Sequence, residues 1–205
     1  MFGNRNNPLS ITATALIFEV GLGVVAVLVA WLLGHWPLPG IEFPVTDWSV
    51  QAQACLWGVA ATGPMLVGMW LTDRCEIGPL RQLKLDFEQL IVPLFARCNV
   101  WQLALISLAA GIGEELLFRG LLQAGIAEWL DVSHATWIAL IVASIVFGLA
   151  HMVSMAYAVI AALIGAYLGV IMLMTNNVLT PIVAHGLYDF LALLYLVYGR
   201  GGDSR

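Results

Sequence analysis

Charged side chains are scarce in this sequence. Only 10% of its 205 residues are Asp, Glu, Lys or Arg, whereas soluble domains carry about 25%. Hydrophobic residues make up 61%, and the mean hydropathy is +0.91. These values exclude a soluble globular protein, and the absence of a basic run or an acidic tail excludes nucleic acid as a partner. We therefore expect an all-α protein whose main solvent is the lipid bilayer.

Cysteine is also sparse, with three residues that lie far apart: Cys55, Cys75 and Cys98. Their odd number argues against a disulfide framework, and their spacing provides no zinc-binding pair. We interpret all three as free thiols.

The hydrophobic residues fall into six stretches, each close to the roughly 20 residues that a helix needs to cross a bilayer. The first ends in residues 34–37, Gly-His-Trp-Pro, and not in a small-residue cleavage site, so we interpret it as an anchor helix and not as a signal peptide. The stretches lie at about 11–33, 50–71, 99–127, 135–152, 154–175 and 178–198. We predict about six transmembrane helices.

Between the second and third stretches, apolar residues recur at alternating steps of three and four: Leu80, Leu83, Phe87, Leu90 and Leu94. The other face carries charged residues: Arg81, Lys84, Asp86 and Glu88. The pattern predicts a short helix that lies on the cytoplasmic interface and ends near Pro93. The chain then divides into an N-terminal transmembrane hairpin with this helix, residues 1–98, and a four-helix core of the same membrane domain, residues 99–205.

Basic residues are distributed unevenly along the chain. The linker at 34–49 and the short linker around Glu128 and Asp131 contain no Lys or Arg. With six spans, seven of the eight basic residues lie on the opposite side: Arg5, Arg74, Arg81, Lys84, Arg97, Arg200 and Arg205. The positive-inside rule then predicts cytoplasmic N- and C-termini for a multi-pass protein of the cell (inner) membrane.

The eighth basic residue, Arg119, lies inside the third span together with Glu114 and Glu115. Each charge at a helix centre costs about 2.5 to 3.5 kcal/mol, so such groups pair with one another or face a cavity. Glu115 and Arg119 are four residues apart on one helical face, where they could form a buried pair that only holds helices together. Glu114 points about 100° away from that face and needs another partner.

Candidate partners lie on later spans. His151 ends the fourth span, and His185 and Asp189 stand one turn apart in the sixth. Counted from the outer ends of the spans, these residues and Glu114 spread over roughly 13 Å near mid-membrane, a gap that tilt and long side chains can close. Pro181 predicts a helix start or kink that leaves His185 near the positive end of a half-helix.

The cluster contains two histidines and several acids but no serine or cysteine nucleophile among them. These groups suit the activation of water, with a carboxylate as base, a histidine that orients the water, and other polar groups that stabilise an oxyanion. Glycines beside the acids, Gly111, Gly113 and Gly120, would let neighbouring helices approach closely. The sequence therefore favours hydrolysis without a covalent intermediate.

Three motifs in this order resemble the CPBP family of CAAX prenyl proteases and bacteriocin-processing enzymes. They are Glu114-Glu115-x-x-x-Arg119, Phe147-x-x-x-His151 and His185-x-x-x-Asp189, within roughly residues 99 to 198. The resemblance implies an intramembrane glutamic endopeptidase that acts on a peptide or membrane-protein substrate, with 99–205 as its catalytic core. It implies that Glu114 is the catalytic glutamate, that His151 helps to activate water, and that His185 and Asp189 bind the oxyanion. Glu115 and Arg119 take supporting roles.

Other functions remain open from the residues alone. One is a zinc protease with His151, His185 and an acid as ligands, although the helix-borne H-E-x-x-H pair of most such enzymes is absent. Another is a proton or ion pathway, for which the chain lacks an internal repeat. A third is a membrane chaperone or immunity protein that binds a peptide without cutting it. We expect no metal or cofactor, and the sequence leaves the substrate and the oligomeric state open.

One further motif is Gly165-x-x-x-Gly169 in the fifth span. Small residues at this spacing allow close helix packing, either within one chain or between two copies. We expect packing within the chain.

Overall fold

The computed structural model describes residues 8–199, and within this range the chain is helical without strands. Where helical segments follow one another without a break, we treat them as one helix. The helices are α1 (Pro8–Leu32), α2 (Trp48–Arg74), α3 (Gly78–Phe95), α4 (Val100–Trp129), α5 (Ala135–Ala150), α6 (Met155–Thr175) and α7 (Leu179–Gly199). The expected all-α class is confirmed for the described residues.

Helices α1, α2, α6 and α7 are long and apolar enough to cross a membrane. The described residues have up to five spans if the bent pair of α3 and α4 is counted as one. Helix α5 is apolar but only 16 residues long, because it ends at the turn before α6. The chain is thus a multi-pass membrane protein, whereas the number six and the orientation of the termini stay predictions. Arg5, Arg200 and Arg205 lie outside the described residues.

Local capping signals set the beginnings of several helices. Asp47 accepts a hydrogen bond from the backbone N–H of Ser49 at 2.9 Å and caps α2. The hydroxyl and N–H of Ser49 also hold the pKa of Asp47 below its usual range, since both stabilise the ionised carboxylate. Asn99 and Gln102 form a reciprocal capping box that starts α4. Helix α4 consequently begins directly after the bend of 113° that separates it from α3.

Helix α4 lies at the centre of the fold, packed against α1 and α7. Glycine makes both contacts possible. A Cβ on Gly113 would collide with the backbone carbonyl of Glu19 in α1, and a Cβ on Gly111 would come within 2.8 Å of the backbone of Gly186 in α7. Gly120 meets the backbone of Pro37 in the same way. The close approach of helices expected at Gly111 and Gly113 is confirmed, whereas the neighbour of Gly120 is the linker after α1.

The Gly165-x-x-x-Gly169 motif of α6 packs within the chain, as expected. Arg119 donates to the carbonyl of Gly165 at 2.8 Å, and Gln123 donates to the carbonyl of Gly169 at 3.2 Å. The backbone carbonyls of the two glycines therefore accept hydrogen bonds from two side chains that stand one turn apart on α4.

The apolar face of α3 differs from its sequence prediction beyond Phe87. Leu90 and Leu94 are 52% and 49% exposed, whereas Ile91 and Phe95 line the interior cavity. The physical reason is a π-helical turn at Phe87–Ile91, which adds one residue to the repeat and shifts the inward face by one position. The helix ends at Phe95, two residues after Pro93, so the predicted end is confirmed.

The prediction for the start of α7 is correct, but the predicted half-helix is wrong. Helix α7 begins at Leu179, with Pro181 in its first turn, and continues to Gly199. His185 lies in the second turn, whereas the effect of a helix dipole fades within the first. Side-chain partners therefore determine the environment of His185.

Replacing Gly113 by Ala should destabilise the fold by about 1 to 3 kcal/mol, because the new methyl group would overlap the backbone of Glu19. The free energy of unfolding in mixed detergent micelles measures this effect. Gly21→Ala is the matched control, since nothing lies within 4 Å of a Cβ at that position of α1. Equal stabilities of the two variants would contradict the proposed close packing of α1 on α4.

Candidate active site

A cavity of about 310 Å³ lies between the helices, and every helix contributes to its lining or its edge. Most of its wall is apolar. One polar wall carries Glu19, Glu114, His151, His185 and Asp189, and the ion pair of Asp73 and Lys84 also lines the cavity. Side chains of α3, among them Leu83 and Phe87, cover the same cavity. We call this space the central cavity.

Glu114 faces His151 across the central cavity. The distance from Glu114 Oε2 to His151 Nε2 is 3.4 Å. His151 Nδ1 donates to the backbone carbonyl of Phe147 at 2.8 Å. A carbonyl can only accept, so Nδ1 carries a proton and Nε2 is the nitrogen that faces the carboxylate. His151 is therefore the partner of Glu114, which points away from the helical face of Glu115 and Arg119.

Glu115 is fully buried and has two partners. Its Oε1 accepts from Arg119 Nη1 at 3.0 Å and from His185 Nδ1 at 2.7 Å. The predicted pair of Glu115 and Arg119 is thus present, but the bond to His185 was not foreseen from the sequence. It holds the imidazole so that its other nitrogen points into the cavity.

His185 Nε2 lies 3.4 Å from Asp189 Oδ2 and 4.0 Å from Glu114 Oε2. The Asp189 side chain is 30% exposed, and it lines the cavity. The structure therefore brings together all six residues predicted for the site, and the spread in depth estimated from the sequence is closed by helix packing.

Phe147 is the aromatic centre of this arrangement. Its ring stacks on His151 with centroids 4.4 Å apart and meets His185 edge-on at 5.9 Å. The guanidinium carbon of Arg119 lies 4.7 Å from the centroid of the same ring. One apolar side chain thus packs against three polar ones and fixes their orientation.

Sequence reasoning missed Glu19. It is the one charged residue within α1, and it reaches the polar wall of the cavity from the N-terminal half of the chain. Its Oε2 is buried and has no hydrogen-bond partner among the described residues. A single acid in an apolar span is itself a signal of a functional position, and this signal could have identified Glu19.

A metal centre finds no support in the geometry. Within residues 8–199, no group of three or more His, Cys, Asp or Glu side chains is arranged to hold a metal ion. The Nδ1 atoms of His151 and His185 are hydrogen-bonded to the carbonyl of Phe147 and the carboxylate of Glu115, respectively. The remaining Nε2 atoms of His151 and His185 face Glu114.

A groove of about 290 Å³ adjoins the central cavity between α2 and α6. The two spaces share lining residues, among them Met69, Ile164 and Tyr188. Another lining residue, Leu163, is 65% exposed. The central cavity is therefore continued by an apolar groove toward the outer surface of the helices.

Residues 96–191 match the family model described as "Type II CAAX prenyl endopeptidase Rce1-like". This match covers slightly less than half of the chain, and we call the matched residues the Rce1-like region. The resemblance to the CPBP family is thereby confirmed, and the family is one of peptidases. The Rce1-like region contains all six site residues predicted from the sequence, but not Glu19. No curated protein and no solved structure matches the chain.

Arg119→Met should lower the free energy of unfolding by about 3 to 5 kcal/mol, because it leaves the carboxylate of Glu115 buried without its cation. The carbonyl of Gly165 loses its donor as well. Denaturant titration in detergent micelles gives the value. Arg81→Met, at an exposed position of α3, is the matched control and should stay within about 0.5 kcal/mol of wild type. A loss of the same size in both variants would show that the buried pair contributes nothing specific.

Proposed function

We propose that this protein is an intramembrane endopeptidase that hydrolyses a peptide bond with water activated by Glu114 and His151. The observation that carries the proposal is the carboxylate of Glu114 facing an imidazole nitrogen at 3.4 Å on the wall of a cavity. No serine or cysteine is found among the residues that line this cavity in the described part of the chain. Water is then the nucleophile that the available groups can activate.

The proposed reaction begins with water bound between Glu114 and His151. Glu114 takes a proton from this water while the oxygen of the water attacks the carbonyl carbon of the peptide bond. The resulting oxyanion lies beside His185, whose Nε2 faces the cavity and stabilises negative charge when it carries a proton. Glu114 then transfers its proton to the leaving amine. Water and peptide thus become a carboxylic acid and an amine.

The remaining polar residues support these steps by position. Glu115 and Arg119 fix His185 from behind through the 2.7 Å bond to its Nδ1. Asp189 lies 3.4 Å from its Nε2 and orients the donor that receives the oxyanion. Because Glu115, Arg119 and His185 are buried, the interactions among them act in a low dielectric.

In its membrane, we propose six spans with cytoplasmic termini and α3 on the cytoplasmic face, in the inner membrane of the cell. Residues 1–98 would then form the hairpin and interfacial helix beside the catalytic core of 99–205. The lipid bilayer surrounds the site, and a peptide or membrane-protein segment is the substrate. The apolar groove between α2 and α6 supports entry of such a segment from the side.

Glu114→Gln should reduce cleavage about 100-fold or more, because general bases contribute roughly 10² to 10⁴ to a rate. Mass spectrometry of membrane-protein termini, compared between cells with wild type and cells with the variant, detects the lost products. Glu42→Gln, at an exposed position of the outer linker, is the matched control and should leave all products in place. If the Glu114→Gln protein folds, inserts and yields the same termini as wild type, the proposed peptidase is wrong and a peptide-binding chaperone or immunity function gains support.

The metal-free mechanism makes a separate prediction. Purified protein should cleave a product-derived peptide at an unchanged rate after incubation with a chelator, since the proposed steps use only side chains and water. Restoration of a lost rate by Zn²⁺ would instead favour the zinc protease, with His151 and His185 as ligands.

A further inference from the structure

Glu19 reaches the site from a part of the chain outside the Rce1-like region. Its backbone carbonyl lies directly against Gly113, the residue before Glu114. Its carboxylate interacts electrostatically with Glu114, Asp189, His185 and His151. Glu19 is thus at the depth of the proposed water-activating pair and faces the same cavity.

The described residues offer no cation to Glu19. Arg119 is bound to Glu115 and to the carbonyl of Gly165. Lys84, at the edge of the cavity, lies 3.6 Å from Asp73. The Nε2 atoms of the two site histidines face Glu114 and Asp189.

The polar wall therefore carries more acid than base. Glu19, Glu114 and Asp189 face the cavity against two histidines, and Lys84, which also lines it, pairs with Asp73. Glu19 Oε2 is buried and accepts no hydrogen bond. A buried carboxylate oxygen without a partner is costly unless a cation or a donor approaches it. A cation on the molecule that enters the cavity would be such a partner.

A peptide is the entering molecule under the proposed function, on which this inference rests. The backbone of Glu19 lies against Gly113, which precedes Glu114, so Glu19 is close to the position of the cleaved bond. An extended substrate advances about 3.3 Å per residue. The substrate side chains that can reach Glu19 are therefore those within about two residues of the cleaved bond.

We propose that Glu19 is a specificity-determining residue, which binds the side chain of a Lys or Arg of the substrate within about two residues of the cleaved bond. The carboxylate and the cation neutralise each other inside the cavity. Substrates without such a residue leave Glu19 unpaired and are cleaved more slowly.

The first experiment maps the cleavage sites that Glu114→Gln abolishes in cell membranes. Most of these sites should contain Lys or Arg within two residues. The second experiment takes one such substrate and replaces its basic residue by Met, which is similar in length but uncharged. Wild-type protein should cleave the Met substrate at least tenfold more slowly. Because this comparison changes only the substrate, it does not depend on the folding of any enzyme variant.

The enzyme side of the test uses Glu19→Gln, with Glu19→Asp as the conservative variant and Glu42→Gln as the matched control. Glu19→Gln should cleave the basic substrate at least tenfold more slowly than wild type, and it should cleave the basic and Met substrates at similar rates. Glu19→Asp should keep a preference for the basic substrate. Glu42→Gln should behave as wild type.

Two results would overturn the inference while leaving the peptidase intact. One is that the Glu114-dependent sites lack basic residues near the cleaved bond. The other is that Glu19→Gln slows both substrates equally, which would indicate a general role in catalysis or packing. Absence of any Glu114-dependent cleavage would overturn the proposed function and this inference together, so the two failures are distinguishable.

Discussion

The carboxylate of Glu115 holds the centre of this structure together. Its Oε1 accepts hydrogen bonds from Arg119 on the same helix and from His185 on α7. Arg119 in turn donates to the carbonyl of Gly165 on α6. Buried charges are tolerated when they are paired. The shared carboxylate and its cation consequently tie three helices together in one mutual orientation.

The orientation of the candidate active site follows from that network. Glu115 is turned toward Arg119. Glu114, the preceding residue of the helix, therefore points about 100° away from that direction and into the central cavity. The bond from Glu115 to His185 Nδ1 leaves Nε2 facing the same space. Phe147 packs against both histidines and Arg119. A neutral packing residue and one buried ion pair thus position the groups that are proposed to activate water.

The N-terminal half of the chain completes the cavity. Glu19 of α1 and apolar side chains of α3 line it, although the family match begins at residue 96. Close contact of α1 with α4 depends on Gly113, and the inward face of α3 depends on a π-helical turn. The half of the chain that carries no family motif therefore shapes the space that a substrate would enter.

Composition and periodicity were enough to predict the solvent, the helical class, the approximate helix boundaries and the six residues of the motifs, because hydrophobic length and helical phase are local properties. Intramembrane charges such as Arg119 are visible in the sequence because their cost makes them rare. Helix packing was needed to show that His185 binds Glu115, that Glu19 joins the polar wall, and that Ile91 replaces Leu90 on the inner face of α3. Contacts between distant helices and a local shift of helical repeat depend on how the side chains pack in three dimensions, and no periodicity within a single segment encodes them.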